Sequence, residues 1–425
     1  MNAEINNAKI KMKIGTAEIE RSSMKKQNRL LLAAICGVVM LVVSCGGSSS
    51  TPSPSTPSSP GSNVLAISVN PGPAGIYANG AFANVTVCAP GTTTCQTIDG
   101  VLVDTGSSGL RILSSALTIS LAQQKASDGN PVVECLPFVD GYTWGPVQTA
   151  DVELSGEKAS STPIQVISGS DYTVPTGCAD FGSSEETLAD LGANGILGVG
   201  NFPQDCGGAC VTTGPSNPDL YYECPASGCV VVGEGLSQQV QNPVVLFSTD
   251  NNGVVIELPA ASNPETSLSG SLIFGIGTQS NNGLGGATVY PVDDFGNFIT
   301  TYKSVAYNQS FLDSGSNGLY FLDTATTGIP VCPDANYFYC PSSTDNLSAT
   351  TTGATGAPSS TVSFSVANAD DLFNNNPNAT VFGQLAGPNS LVGFDWGLPF
   401  FYGRNVYTAI YGQSTPGGTG PYWAY

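Results

Sequence analysis

Two short stretches of the sequence place an aspartate between an apolar run and a turn of small residues. Residues 101–113 read VLVDTGSSGLRIL and residues 311–321 read FLDSGSNGLYF. Each has two hydrophobic residues, then Asp, Thr or Ser, Gly, Ser, one small polar residue, Gly and Leu. One such stretch alone reads as a surface turn, because Asp, Gly and Ser are common turn formers. Two long matching copies point instead to two similar structural units. Such units can bring Asp104 and Asp313 together on a pseudo-twofold axis. Carboxylates at close range cannot both ionise, so they share one proton. The charged member can then polarise a water while the protonated member hydrogen-bonds a substrate carbonyl. Gly106 and Gly315 let the backbone approach the carboxylates. The hydroxyls of Thr105 and Ser314 can cross-link the two turns, and those of Ser107 and Ser316 can hydrogen-bond the acids.

The chain that must position these turns is β-rich by composition. Of 425 residues, 51 are Gly and 29 are Pro, and only 10% are charged, which disfavours a helical bundle. Runs such as VVIEL (254–258), SLIFGI (271–276) and VSFSV (362–366) alternate and are rich in β-branched residues, so they are predicted strands. The sequence has no histidine, which excludes a Ser-His-Asp triad, a Cys-His nucleophile and most zinc sites. The net charge is −20, and seven of the 12 basic residues fall in the first 30 positions. The remainder of the chain is strongly acidic and repels nucleic acid and anionic lipid.

The basic start and apolar run of MKKQNRLLLAAICGVVMLVVSC (24–45) read as a signal peptide, with Met24 an alternative start. Its LVVSC ending resembles a bacterial lipobox with Cys45 as the lipidated residue; the alternative is a simple signal anchor or a cleaved, secreted form. Residues 46–63, GGSSSTPSPSTPSSPGSN, form a disordered Ser/Pro/Gly tether. Beyond the tether lie ten cysteines, an even number in an exported chain, which argue for disulfides. Cys88 and Cys95 flank one short loop, and Cys332 and Cys340 another. Cys206, Cys210, Cys224 and Cys229 crowd one segment, where pairing stays open and zinc is the minority reading. Cys135 and Cys178 complete the set.

With both Asp motifs in hand, the sequence resembles the pepsin-like, bilobal aspartic proteases, and within them exported bacterial lipoproteins of uncharacterised function. NGILGVG (194–200) is similar to the segment that closes the loop around the first Asp, with Gly198 as its glycine. DWGLPFFYGRNVYTAI (395–410) is similar to its counterpart in the second lobe, with Gly397, and GSLIFGIG (270–277) to a strand near the end of the first lobe. The resemblance implies an all-β fold of two lobes, 64–281 and 282–425, with a cleft between them. It implies a catalytic pair, Asp104 and Asp313, supported by Thr105, Gly106, Ser107, Ser314, Gly315 and Ser316. Arg111 stands where the family has a supporting Trp. The flap is expected in VDGYTWGPVQTADVEL (139–154), with Tyr142 or Trp144 at its tip. A Cys-rich stretch from about 201 to 242 has no counterpart in the family.

Two functions compete on this reading. One is an aspartic endopeptidase at the bacterial cell surface, taking a peptide or protein substrate in the interlobe cleft. The other is a non-catalytic pepsin-fold surface lipoprotein that binds a protein or a glycan, since fold does not by itself fix function. A third, two unrelated surface turns in a β-sandwich adhesin, ranks last. In the first two readings the chain is expected to be a monomer, held by a lipid at Cys45 to the cell envelope, at the outer membrane. No metal, cofactor or nucleic acid is expected.

Overall fold

The computed structural model describes residues 62–169, 171–389 and 393–425. The expected signal peptide, Cys45 and nearly all of the expected tether lie outside these residues. The described residues are predominantly β-strand, with a few short helical turns, in keeping with the all-β expectation.

Six successive antiparallel strands of a larger sheet run through both halves. Their order is Val64–Asn70, Leu268–Phe274, Gly253–Leu258, Arg404–Ala409, Tyr422–Ala424 and Val289–Pro291. The first three strands come from the first half and the last three from the second. The halves join at the central pair, where Val254 lies opposite Thr408 and Ile256 opposite Val406. The predicted runs 254–258 and 362–366 fall on observed strands, and 271–276 does so up to Phe274, where its strand ends.

In the first lobe, Cys95–Asp104 enters the core and Ser108–Leu113 leaves it. The last four residues of the entering strand and all six of the leaving strand are buried. Hence VLVD and SGLRIL do not alternate: a strand covered on both faces needs no polar side. Gly195–Val199 then slots between them, parallel to the first and antiparallel to the second. The second lobe repeats the device. Phe394–Trp396 lies parallel to the end of Val305–Leu312 and antiparallel to Leu319–Phe321. Its core is aromatic: the Phe321 and Phe394 rings stack at 5.2 Å, and Trp396 meets Phe364 edge-on at 5.4 Å.

The expected hairpin is present, formed by Val132–Pro137 and Gly141–Leu154. Its tip is not where the sequence suggested. The turn is 138–140, and Tyr142 pairs with Pro137 on the second strand. Trp144 is fully buried beside Cys135, Cys178 and Tyr222, with its indole N–H donating to the Tyr172 carbonyl at 2.9 Å. A ring so enclosed gains more from burial than it would at an exposed tip. The Cys-rich stretch is part of the same structure: Tyr221–Glu223 extends the hairpin sheet by pairing with Val132–Glu134.

Five disulfides form: Cys88–Cys95, Cys135–Cys178, Cys206–Cys210, Cys224–Cys229 and Cys332–Cys340. Pairing within the crowded segment is therefore local, and it takes those four sulfurs out of contention as zinc ligands.

Candidate active site

The two Asp turns meet at the junction of the lobes, and each supporting group expected from the sequence lies beside them. Asp104 Oδ1 accepts the Gly106 N–H at 2.7 Å, and Oδ2 accepts the Ser107 hydroxyl at 2.5 Å. Asp313 repeats this with Gly315 N–H and Ser316 Oγ, both at 2.8 Å. The two carboxyls face each other closely enough for each to raise the cost of ionising the other. A Cβ on Gly106 would stand 2.7 Å from the Asp313 carboxyl carbon, and one on Gly315 would stand 2.8 Å from that of Asp104. Each acid thus packs against the glycine of the opposite turn, which no larger residue could replace without displacing it.

The turns are locked to each other reciprocally. Thr105 N–H donates to Ser314 Oγ and Ser314 N–H donates to Thr105 Oγ1. The two hydroxyls then donate onward, Thr105 to the Leu312 carbonyl and Ser314 to that of Val103. Gly198 lies opposite Asp104 in the strand register. Gly397 follows Trp396, whose carbonyl accepts the Asp313 N–H at 3.1 Å. Both glycines press on the Asp turns: a Cβ on Gly198 would meet Ser107 and Ser108, and one on Gly397 would meet the carbonyls of Ser316 and Gly318.

The electrostatics follow from burial. Asp313 is fully buried and Asp104 is 4% exposed. Desolvation, followed by the charge and hydrogen bond of Asp104, holds Asp313 well above the usual carboxylate range. That is the signature of a pair that keeps one proton between two acids.

Three neighbours of the pair carry no clear signal in the sequence. Tyr77 is buried, and its hydroxyl is pushed well up, first by burial and then by Asp140, Glu185, Asp104 and Asp313. Asn79 fastens the lobes from the same loop. Its amide donates to the Asn317 and Phe382 carbonyls, and its Oδ1 accepts from Phe382 N–H and the Tyr402 hydroxyl. Asp395 lies behind the pair, its Oδ2 2.7 Å from Ser316 Oγ. At the hairpin tip, Val139 packs on a second-lobe cluster that includes Phe311 and Tyr320.

Arg111 gives the Asp104 turn an ionic support. It is fully buried and donates to the Ser108 carbonyl at 2.9 Å, Glu134 Oε1 at 2.7 Å and Asp205 Oδ2 at 2.9 Å. Tyr221 donates its hydroxyl to Asp205 from the Cys-rich stretch. One guanidinium therefore ties the Asp104 turn to the hairpin and to the insertion. Burial and the Glu134 charge hold Asp205 well above the carboxylate range, with Arg111 pulling the other way.

A cavity of about 540 Å³ opens between the halves, bounded by Thr105, Gly106 and Ser107 on one side and Phe295, Phe311 and Leu312 on the other. Cys332, Cys340 and Asp370 lie within metal-binding distance of one another, but the two sulfurs are bonded together and offer no thiolate.

A family model described as "Protein of unknown function (DUF3443)" matches residues 59–425. The chain belongs to that family. No curated protein matches this DUF3443 member. Among solved structures, it is similar to an aspartic proteinase from Irpex lacteus, at 16% identity and a TM-score of 0.49, over 85% of this chain and 96% of that one.

Proposed function

We propose that this chain is an aspartic endopeptidase, exported and anchored to the bacterial cell envelope through a lipid on Cys45. One observation carries the catalytic reading. Two buried carboxyls pack against the glycines of each other's turns, and each is held by one backbone N–H and one hydroxyl from its own turn. A structural turn has no need of a second acid against it; burying two without a cation is costly.

The chemistry requires only this pair. The ionised member takes a proton from a water as the water oxygen attacks the scissile carbonyl. The protonated member hydrogen-bonds the carbonyl oxygen and transfers its proton as the tetrahedral diol forms. As the diol collapses, the protonated carboxyl gives its proton to the nitrogen, the C–N bond breaks and the amine departs, while the other carboxylate takes a proton from one diol hydroxyl, so the pair again holds one proton. The backbone donors at Gly106 and Gly315 are fixed before substrate arrives, so no reorganisation is spent on them during reaction.

The test is digestion of a diverse peptide library by the purified full chain from acid to neutral pH, with and without a statine-type inhibitor that mimics the diol. Inhibitor-sensitive cleavage supports the proposal. A well-folded protein that cleaves nothing supports the non-catalytic binding scaffold. That alternative draws on one specific observation: the insertion is tied by Arg111 into the wall beside the Asp104 turn.

A further inference from the structure

Asp395 breaks the symmetry of the two lobes at a position that touches the catalytic pair. It lies opposite Phe311, two residues before Asp313. The corresponding position in the first lobe, opposite Leu102 and two residues before Asp104, is Ile196. Both residues are fully buried. A core position filled by Ile in one lobe holds a carboxyl in the other.

Proton counting requires one of the two carboxyls that flank Ser316 to be protonated. Ser316 Oγ lies 2.8 Å from Asp313 Oδ2 and 2.7 Å from Asp395 Oδ2. A hydroxyl has one proton and can donate it to only one of them. At hydrogen-bond distance the other acid must itself be the donor, or two negative oxygens would compete for one proton in a buried site. Ser107, the counterpart of Ser316, serves Asp104 alone among the carboxylates. The titratable groups facing Asp395 are Asp313 and Asp104 beyond Ser316 and Tyr320 on the adjoining strand; no Lys or Arg among the described residues pairs with it. Its Oδ1 has no hydrogen-bond partner.

We propose that Asp395 is a positioning residue for the Asp104–Asp313 pair, held in its acid form so that it donates to Ser316 and turns the Ser316 hydroxyl proton onto Asp313. This rests on the protease reading of the pair. Its consequence is that Asp313, like Asp104, keeps a full set of donors only while Asp395 retains its proton. Burial and the charge of Asp313 both favour that retention, holding Asp395 well above the carboxylate range. Ionisation of Asp395 would free the Ser316 proton from Asp313 and add a second negative charge beside the pair.

Two variants of the full chain separate this role from packing. Asp395→Asn keeps a donor to Ser316 that does not titrate. Asp395→Val keeps an apolar core position and removes the donor. The expected result is a loss of about tenfold or more in kcat/KM for Asp395→Val, the worth of one hydrogen bond to a charged group, largely recovered in Asp395→Asn. The alkaline limb of the pH–rate profile should be shallower in Asp395→Asn than in the wild type, because one titrating proton is gone. Thermal unfolding reads the same proton without catalysis. The wild type, but not Asp395→Asn, must release it on unfolding above about pH 4. The Tm advantage of Asp395→Asn should therefore grow from pH 4 to 7. A pH-independent Tm difference, or a pH profile for Asp395→Asn superimposable on the wild type, overturns the proposal. A chain that cleaves nothing but shows the growing Tm difference overturns the protease reading and leaves Asp395 protonated against Ser316.

Discussion

Thr105 and Ser314 hold each other in both directions across the junction of the lobes. The Thr105 N–H donates to Ser314 Oγ at 3.1 Å, and the Ser314 N–H donates to Thr105 Oγ1 at 3.0 Å. Each hydroxyl is fully used, as both donor and acceptor. Thr105→Val keeps the shape and strands the Ser314 N–H and the Leu312 carbonyl. Its expected cost is on the order of 2–4 kcal/mol, from two buried groups left unpaired. Adding Ser314→Ala should cost less than the sum of the single changes, because they share partners. Denaturant unfolding of the cycle measures this; strict additivity would mean the lock does not act as a unit.

Arg111 is the second support, and it is ionic. Arg111→Met leaves Glu134 and Asp205 buried together without their cation, while both lie in the wall of the Asp104 turn. Removing one partner of such a group costs about 3–5 kcal/mol. Chemical denaturation is expected to show that loss, and a change within about 0.5 kcal/mol would indicate that the network is not formed in solution.

Much of the site was legible because repetition carries information that one motif lacks. The parallel between 101–113 and 311–321 identified both acids and their hydroxyl partners, since backbone conformation at these turns dictates residue type position by position. The closing segments around Gly198 and Gly397 were legible for the same reason: only a residue without a side chain fits against the turns. The hairpin was found but its tip was misplaced. Tyr142 and Trp144 looked like tip residues by type, whereas a disulfide between Cys135 and Cys178, with no sequence signature of its own, creates the pocket that buries Trp144. Tyr77, Asn79 and Asp395 were missed because each acts through a contact distant in sequence. Asp395 sat in view within a quoted segment, but its meaning depends on Ser316, which only the fold brings to it.

The disulfides differ in what they constrain. Cys135–Cys178 spans 43 residues, against separations of four to eight for the others. In the chain-entropy model the long loop contributes about 4 kcal/mol and the short ones about 2–3 kcal/mol. Replacing Cys135 and Cys178 with Ala should therefore lower Tm more than replacing Cys88 and Cys95, and the reverse order in calorimetry would contradict this.

Stability should fall as pH rises from acid toward neutral. Asp313, Asp205 and Asp395 are each held above the ordinary carboxylate range, with burial the leading cause, and burial raises Glu234 to about 7. The folded chain keeps these protons where the unfolded chain, with carboxyls near pH 4, has released them. Stability is thus fully present below about pH 4 and is lost as pH climbs through the folded-state values. Only five basic residues follow position 30, too few for acid to build much positive self-repulsion. Thermal scans from pH 3 to 8 are expected to show Tm declining across that window; a rise in Tm toward pH 8 would contradict the raised values.

The most direct test of the central claim is the pH–rate profile for peptide cleavage by the wild type, Asp104→Asn and Asp313→Asn. A pair sharing one proton is active only when singly protonated, so the wild type should follow a bell on the acid side of neutral. Each Asn variant should retain cooperative unfolding and lose that cleavage altogether, because either change removes the shared proton while keeping the shape. Cleavage that persists in either variant, or a folded wild type inert from about pH 2 to 7, would contradict catalysis by Asp104 and Asp313.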